Sequence, residues 1–384
     1  MQAFRTLSFA HEVIFATGAF GQVGEAVERS GWRRLLLCTS RSQRSAGYVT
    51  TASSLLGERL VAIFDHVQSH VQETQVAEAL ALALQHDVDA VIGLGGGSPI
   101  GMAKAVSRAI EEQRAGKTSR TASPTEQPLI PVIAIPTTYA GSEMTAVYGI
   151  TRTVGDLTRK MTVSDPKIAP KLIIYDPLLT LQLPKTLTAS SGINALAHSF
   201  EALYSITRNP LSTAAALSSI QAIWHALPQC VADGTDIAAR SEMLVGAYLA
   251  GQALASVSMG LHHGICHVLG GSAGVAHGIA NGIMLPHALR FNLDATATEI
   301  APAASAMGIA RGTRSDVELA EAIVQHVDGL IREVGLPQRL RDVGVAESDL
   351  PRLAQLAFES RTVQSNPKPI TDSMQLTTLL RQAW

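Results

Sequence analysis

Cysteine is scarce in this chain. Cys38, Cys230 and Cys266 are its three copies, and they stand far apart. That spacing excludes a disulfide framework and any CxxC cluster, and it fits a reducing compartment. An excess of either charge is also lacking. The formal net charge is -2, so no broad basic surface is expected and no nucleic-acid partner. No run of about 18 uncharged apolar residues marks a membrane span. The opening MQAFRTLSFAHEVIFATG carries His11 and Glu12 and lacks a small-residue cleavage site, so no secretory signal is expected. The expected setting is cytoplasmic, without membrane contact. Apolar residues are plentiful: 46% of the 384 residues are hydrophobic. That is enough for a large core and favours two domains over one.

The first 180 residues alternate between short β runs and helical runs. The stretches 34-RLLLCTS-40, 60-LVAIFD-65, 89-DAVIGLGGGS-98, 131-PVIAIPTT-138 and 172-LIIYDP-177 read as strands. Between them, 51-TASSLLGERL-60, 72-QETQVAEALALALQHD-87 and 99-PIGMAKAVSRAIEEQ-113 read as helices, and Pro99 suits a first turn. Continuous apolar strands alternating with helices predict a parallel sheet covered on both faces. The polar segment 114-RAGKTSRTASPTEQP-128 is expected to be a loop. After residue 180 long helical runs take over, such as 211-LSTAAALSSIQAIWHAL-227 and 238-AARSEMLVGAYLAGQALAS-256. The expected fold class is therefore an α/β domain, residues 1–180, followed by an all-α domain, residues 181–384.

The run 93-GLGGGSPIGMAK-104 follows a strand and opens a helix. Gly95, Gly96 and Gly97 would let backbone approach a diphosphate, and Ser98 adds a hydroxyl donor. It is neither the usual GxGxxG nor a Walker A box. A tight turn with a helix cap is the plain alternative. In 135-IPTTYAGSEMT-145, Thr137 and Thr138 stand beyond another strand's carboxyl end, where ligands of open parallel sheets bind. Glu143 there caps or orients a neighbour, or the segment is only a polar turn. Ser40 ends the first strand without the carboxylate that would grip a ribose and repel a 2'-phosphate. Arg41 and Arg44 either face such a phosphate, admitting NADPH beside NADH, or are simply solvated.

Asn194 and His198 are four residues apart and share one helix face. His263 and His267 repeat that spacing, and His277 follows the turn 270-GGSAG-274. Taken singly, each histidine fits a packed core. As a set near glycines they suggest one cleft. Three neutral imidazoles suffice for a divalent metal, but Asn194 brings no negative charge. Without a metal, the same rings bind an anionic substrate or move protons near neutral pH. His225 is expected only to pack, and Cys266 to be a small buried residue.

The pieces 95-GGGSPIGMAK-104, 135-IPTTYAGSEMT-145, 191-SGINALAHSFEALY-204, 260-GLHHGICHVLGG-271 and 276-AHGIANGIMLPH-287 resemble the iron-containing, or group III, alcohol dehydrogenase family. They cover both halves in family order. The resemblance implies the dehydroquinate synthase-like fold: a Rossmann-like dinucleotide-binding domain, a helical domain, and an active site between them. It also implies a homodimer. Family members that bind iron or zinc use one Asp and three His. Those positions are Asn194, His198, His263 and His277 here. The histidine near the nicotinamide corresponds to His267, and a cofactor lysine to Lys160. Asn194, the doubled His262-His263, PTTYAGSEMT and 366-NPKPIT-371 resemble the family's maleylacetate reductase branch. The stretch 270-GGSAGVAHGIANGIMLPH-287 is more like the alcohol dehydrogenase branch. The branch implies NADH- or NADPH-dependent reduction of maleylacetate, or a related small anion, without a required metal. Under that expectation no residue is a metal ligand. His263 and His277 then meet substrate oxygens, His198 supports them, His267 orients or protonates, and His262 and Asn194 hold a carboxylate.

Overall fold

The computed structural model describes residues 11–69, 71–114, 127–154 and 157–384, with Phe4, Thr6 and Phe9, and for residues 152–154 and 157–160 the backbone alone. Most of the expected loop 114–128, namely residues 115–126, lies outside the described residues. Two compact units meet in sequence at Leu183 and Pro184.

In the first unit the described strands are β1 (Glu12–Phe15), β2 (Leu35–Cys38), β3 (Leu60–Phe64), β4 (Val71–Gln72), β5 (Ala90–Gly95), β6 (Val132–Pro136), β7 (Val147–Val154), β8 (Leu157–Ser164) and β9 (Leu172–Tyr175). Six form one sheet in the order β1-β9-β6-β5-β2-β3, and every pairing in it is parallel. The sequence of β2, LLLC, explains its central place, since all four side chains are buried. Leu35 and Leu37 join an apolar cluster with Val23, Val27 and Ala52. Leu36 and Cys38 point the other way, into a cluster with Ala79, Ala83 and Val106. The period of two thus feeds both faces, as a doubly covered sheet requires. The helices behind those clusters are Val23–Arg29 and Tyr48–Leu56 on one face, and Glu73–Gln85 and Gly97–Arg114 on the other.

From β2 the chain runs outward to β3, then returns to β5 on the other flank of β2. This reversal makes β2 and β5 the topological switch point, beyond whose carboxyl ends ligands bind. A second sheet, β4-β7-β8, was not evident from the sequence. β7 and β8 are an antiparallel pair, and VYGITRTV mixes polar and apolar residues instead of forming an apolar run.

In the second unit the described residues form helices and no strand. The long helices are Lys185–Tyr204, Pro210–Ala232, Ile237–Ser256, Leu261–Ser272, His277–Ile300 and Asp316–Glu333. Several starts are written in the sequence. Asn209 with Ser212, and Ser315 with Glu318, make reciprocal capping boxes, while Asp236 accepts from the Ala239 N–H. The apolar face of Leu261–Ser272 (Leu261, Ile265, Leu269) packs with Leu353, Val363 and Leu376 of the C-terminal helices. Cys266 is fully buried, whereas His225, expected to pack, is exposed.

Candidate active site

At the switch point of the first unit, three chain segments converge. β5 ends at Gly95, whose φ of 141° is a glycine conformation. A β-carbon there would also lie 2.8 Å from the Pro99 ring. Thr137 N–H donates to the Gly95 carbonyl at 3.0 Å. Gln43, after β2, donates to Thr137 Oγ1 at 3.3 Å. Gly96 lies against Thr138, where an added β-carbon would be 3.1 Å from Cγ2. Residues 40–43, 95–98 and 137–138 are therefore assembled beyond the ends of β2, β5 and β6. Gly97, Ser98 and Thr138 keep solvent exposure, while Thr137 is buried. Ser40 pairs hydroxyls with Ser42 at 2.9 Å. Arg44 is ion-paired to Asp65, while Arg41, next to Ser40 in sequence, is exposed. Lys160 sits on β8 opposite Thr151, but its side chain lies outside the described residues.

Beneath this assembly is a pair of residues that sequence reasoning did not bring out as such. Lys104 is fully buried. Its ammonium donates to the Ser142 carbonyl at 2.6 Å, the Val147 carbonyl at 3.1 Å and Thr145 Oγ1 at 3.2 Å. Burial pulls its pKa down to about 7, against the opposing pull of Glu143. Glu143 is itself buried, which pushes its carboxyl up, and it accepts from the Tyr175 hydroxyl at 2.7 Å. Lys104 thus anchors the segment that follows Thr137 and Thr138. The available signal was its spacing, because Gly97, Ile100, Gly101 and Lys104 share one helix face.

In the second unit the helix Lys185–Tyr204 carries Asn194 and His198, and Leu261–Ser272 carries His262, His263 and His267. His277 opens the next helix. Gly278 brings that opening against the first helix, since a β-carbon on it would lie 2.9 Å from both Cβ and O of Ser190. The rings gather accordingly. His198 stacks on His263 with centroids 4.5 Å apart and planes at 16°. His267 stacks on His277 at 5.6 Å, and His263 lies 6.1 Å from His277. Asn194, His198 and His263 are buried, while His267 and His277 are partly exposed.

Burial holds the imidazoles of His198 and His263 well below the usual histidine range, and neighbouring histidines push further down. Burial lowers His262 too. These three rings are neutral near pH 7. His262 departs from its expected role. It is 0% exposed, and its Nε2 lies 3.1 Å from the Asn281 carbonyl. The ring is committed inside the helix bundle and is not offered to a substrate carboxylate.

Glu201 is the residue that was overlooked. It stands seven positions after Asn194 and three after His198, so it extends the same helix face. One of its oxygens accepts from the Gly260 and His262 N–H groups, each at 3.1 Å. The other accepts from the His263 N–H at 3.3 Å and from His263 Nδ1. Burial pushes this carboxyl up, and those donors oppose the shift.

The donor set suits a metal. His198 Nδ1 and His263 Nε2 are buried ring nitrogens without a hydrogen-bond partner among the described residues. Buried polar atoms are rarely left that way, and neutral imidazole nitrogen is a good divalent-metal ligand. Glu201, His262 and His263 also offer ligand atoms within 4.8 Å of one another.

Residues 10–177 match the description of iron-containing alcohol dehydrogenase, and residues 188–384 match that of the C-terminal part of the Fe-containing alcohol dehydrogenase family. This chain belongs to the iron-containing alcohol dehydrogenase family. It is an oxidoreductase. It is 36% identical to maleylacetate reductase 1 of Cupriavidus pinatubonensis, over 100% of this chain and 98% of that relative. Its fold matches the crystal structure of maleylacetate reductase from Agrobacterium tumefaciens with a TM-score of 0.84 at 32% identity, covering 100% and 99% of the two chains. It matches that of a 1,3-propanediol oxidoreductase with a TM-score of 0.92 at 33% identity, covering 100% of both. Membership in an iron-containing family, with a buried Glu/His/His group that could hold an ion, overturns the expectation that no metal is needed.

Proposed function

We propose that this iron-containing alcohol dehydrogenase family member uses NADH or NADPH to reduce the C=C bond of maleylacetate, or of a closely similar small dianion, giving 3-oxoadipate during breakdown of aromatic compounds. The observation that carries this reading is full-length identity of 36% to a maleylacetate reductase. The residue types agree with it. Asn194, His198, His263, His267 and His277 bring no carboxylate of their own to repel a dianion.

The substrate is a ketone conjugated to an alkene. Hydride from the nicotinamide adds to the alkene carbon next to the carboxylate, and the ketone oxygen takes up negative charge as an enolate. A proton then joins the other alkene carbon, so one hydride and one proton complete the reduction. In this reading the glycine turn 95–97 and Ser98 receive the cofactor diphosphate, and Thr137 and Thr138 face its nicotinamide half. Lys160 is assigned to the cofactor as well. Ser40 carries no charge against a 2'-phosphate, so both nicotinamides are accepted. His267, partly exposed, orients the substrate or delivers the proton, and Asn194 donates an amide N–H to a carboxylate. His198, His263 and His277, with the weaker Asn194 carbonyl, would hold a divalent ion. Bound there, the ion would supply Lewis-acid polarisation of the substrate oxygen. The working form in this proposal is a homodimer in the cytoplasm.

A second reading is oxidation or reduction of a small alcohol or aldehyde. The higher TM-score with the 1,3-propanediol oxidoreductase, 0.92 against 0.84, favours it. The deciding assay gives the purified protein maleylacetate with each reduced nicotinamide, and 1,3-propanediol with each oxidised one, before and after chelation. Cofactor oxidation by maleylacetate is expected. Turnover of the diol alone would overturn the proposal in favour of the second reading.

A further inference from the structure

Hydrogen-bond polarity fixes where the ring protons of His262 and His263 sit. The Asn281 carbonyl only accepts, so His262 Nε2, 3.1 Å away, carries the His262 proton. His262 Nδ1 is then a lone pair. His263 Nδ1 faces that lone pair at 3.3 Å and a Glu201 oxygen within hydrogen-bond reach. Both neighbours accept, so His263 is protonated on Nδ1. Its Nε2 is left as the buried lone pair that has no donor.

The same carboxylate starts the helix. Gly260, at the N-cap of Leu261–Ser272, has no side chain with which to cap it. Glu201 supplies the acceptor instead, taking the N–H groups of Gly260, His262 and His263. A negative group is also favoured at a helix N-terminus. One side chain therefore sets both the position of His263 along the helix and the nitrogen it presents.

We propose that Glu201 is a positioning residue that locks His263 in its Nδ1-protonated form and directs the Nε2 lone pair toward a divalent cation shared with His198. This rests on the imidazole cluster being the metal-holding part of the active site, but not on the identity of the substrate. The arrangement is the carboxylate–histidine pairing that raises ligand basicity and fixes ring orientation at metal centres.

Glu201→Gln separates the two duties. Its amide oxygen still accepts from the Gly260 and His262 N–H groups, while its NH2 gives up the bond from the His263 N–H and meets His263 Nδ1 as a donor. The ring must then move its proton to Nε2. The test is the nitrogen NMR spectrum of the full chain carrying isotope-labelled histidine, with His263 assigned through His263→Gln. It is paired with titration of the metal-free protein with Co(II) alone. The wild type should show His263 protonated on Nδ1 and bind Co(II). Glu201→Gln should show the other tautomer and bind Co(II) about 10–100-fold more weakly, with unchanged circular dichroism. A wild type with His263 protonated on Nε2, or one that binds no Co(II), overturns the proposal, and these results need no variant to fold. A variant with unchanged tautomer and near-unchanged Co(II) affinity also overturns it. The expected tautomer and affinity loss without turnover of maleylacetate would support this role and overturn the substrate reading instead.

Discussion

Lys104→Met removes a fully buried ammonium while nearly preserving side-chain volume. Unfolded, this lysine has a pKa of 10.5; folded, burial lowers it to about 7. Between those values the unfolded chain binds the extra proton, so the lysine's contribution to stability improves as pH rises. Below the folded pKa the cost of burying the charge is present in full. The difference between the two pKa values corresponds to roughly 5 kcal/mol at its limit, with a slope of at most about 1.4 kcal/mol per pH unit. Against this, methionine leaves the carbonyls of Ser142 and Val147 and the Thr145 hydroxyl without their ammonium donor. Each lost partner costs about 1–3 kcal/mol, with little dependence on pH. The wild type minus Lys104→Met difference should therefore climb from about pH 7 to about pH 9 by close to that limiting slope. Urea unfolding measures it. Trp32 lies in the first unit, and Trp224 and Trp384 lie in the second. A background with Phe at both of the latter positions reports the first unit through Trp32. A flat difference across that range would refute the reasoning. It would mean that Glu143 and the three oxygens keep the ammonium charged throughout.

His263→Ala should lower kcat by about 100-fold or more and leave NADPH binding, followed by fluorescence titration, nearly unchanged. Gly264→Ala places a β-carbon 2.4 Å from Val363 Cγ2 and 3.0 Å from its backbone N. It should cost about 1–3 kcal/mol, seen as a lower thermal midpoint; an unchanged midpoint would show that Val363 yields freely. Asn194→Asp supplies a charged oxygen ligand and should tighten Co(II) binding by about tenfold or more, measured by competition with a chelator. Ser40→Asp should lower kcat/KM for NADPH relative to NADH by about tenfold, and an unmoved ratio would place the 2'-phosphate elsewhere.

The parallel sheet was legible because β2, β5, β6 and β9 are unbroken apolar runs, a pattern that a doubly covered strand produces. The pair β7 and β8 was not, since residues such as Thr151 and Arg152 interrupt the apolar residues. Four-residue spacing placed Asn194 with His198 and His263 with His267, and the rings do assemble. Spacing could not report which ring nitrogens face inward, so His262 was assigned to a substrate carboxylate that its buried ring does not face. Glu201 and Lys104 escaped for a shared reason. A charged residue on a helix is ordinarily solvated, and only the fold shows that these two are surrounded by partners from distant segments. Arg44 is the converse case. It was considered for a phosphate and instead spends its charge on Asp65.

The helix Leu261–Ser272 is gripped from both directions along the chain. Glu201 holds its start from upstream, while Asn366 Oδ1 accepts from the Leu261 N–H at 3.3 Å from downstream. A ribosome releases the first unit, and then Glu201, long before Asn366 emerges. The first unit has time to fold on the nascent polypeptide, but the helix Leu261–Ser272 acquires its downstream clamp only after Asn366 has been made. The proposed cation site is consequently steadied by a segment made after its own imidazoles.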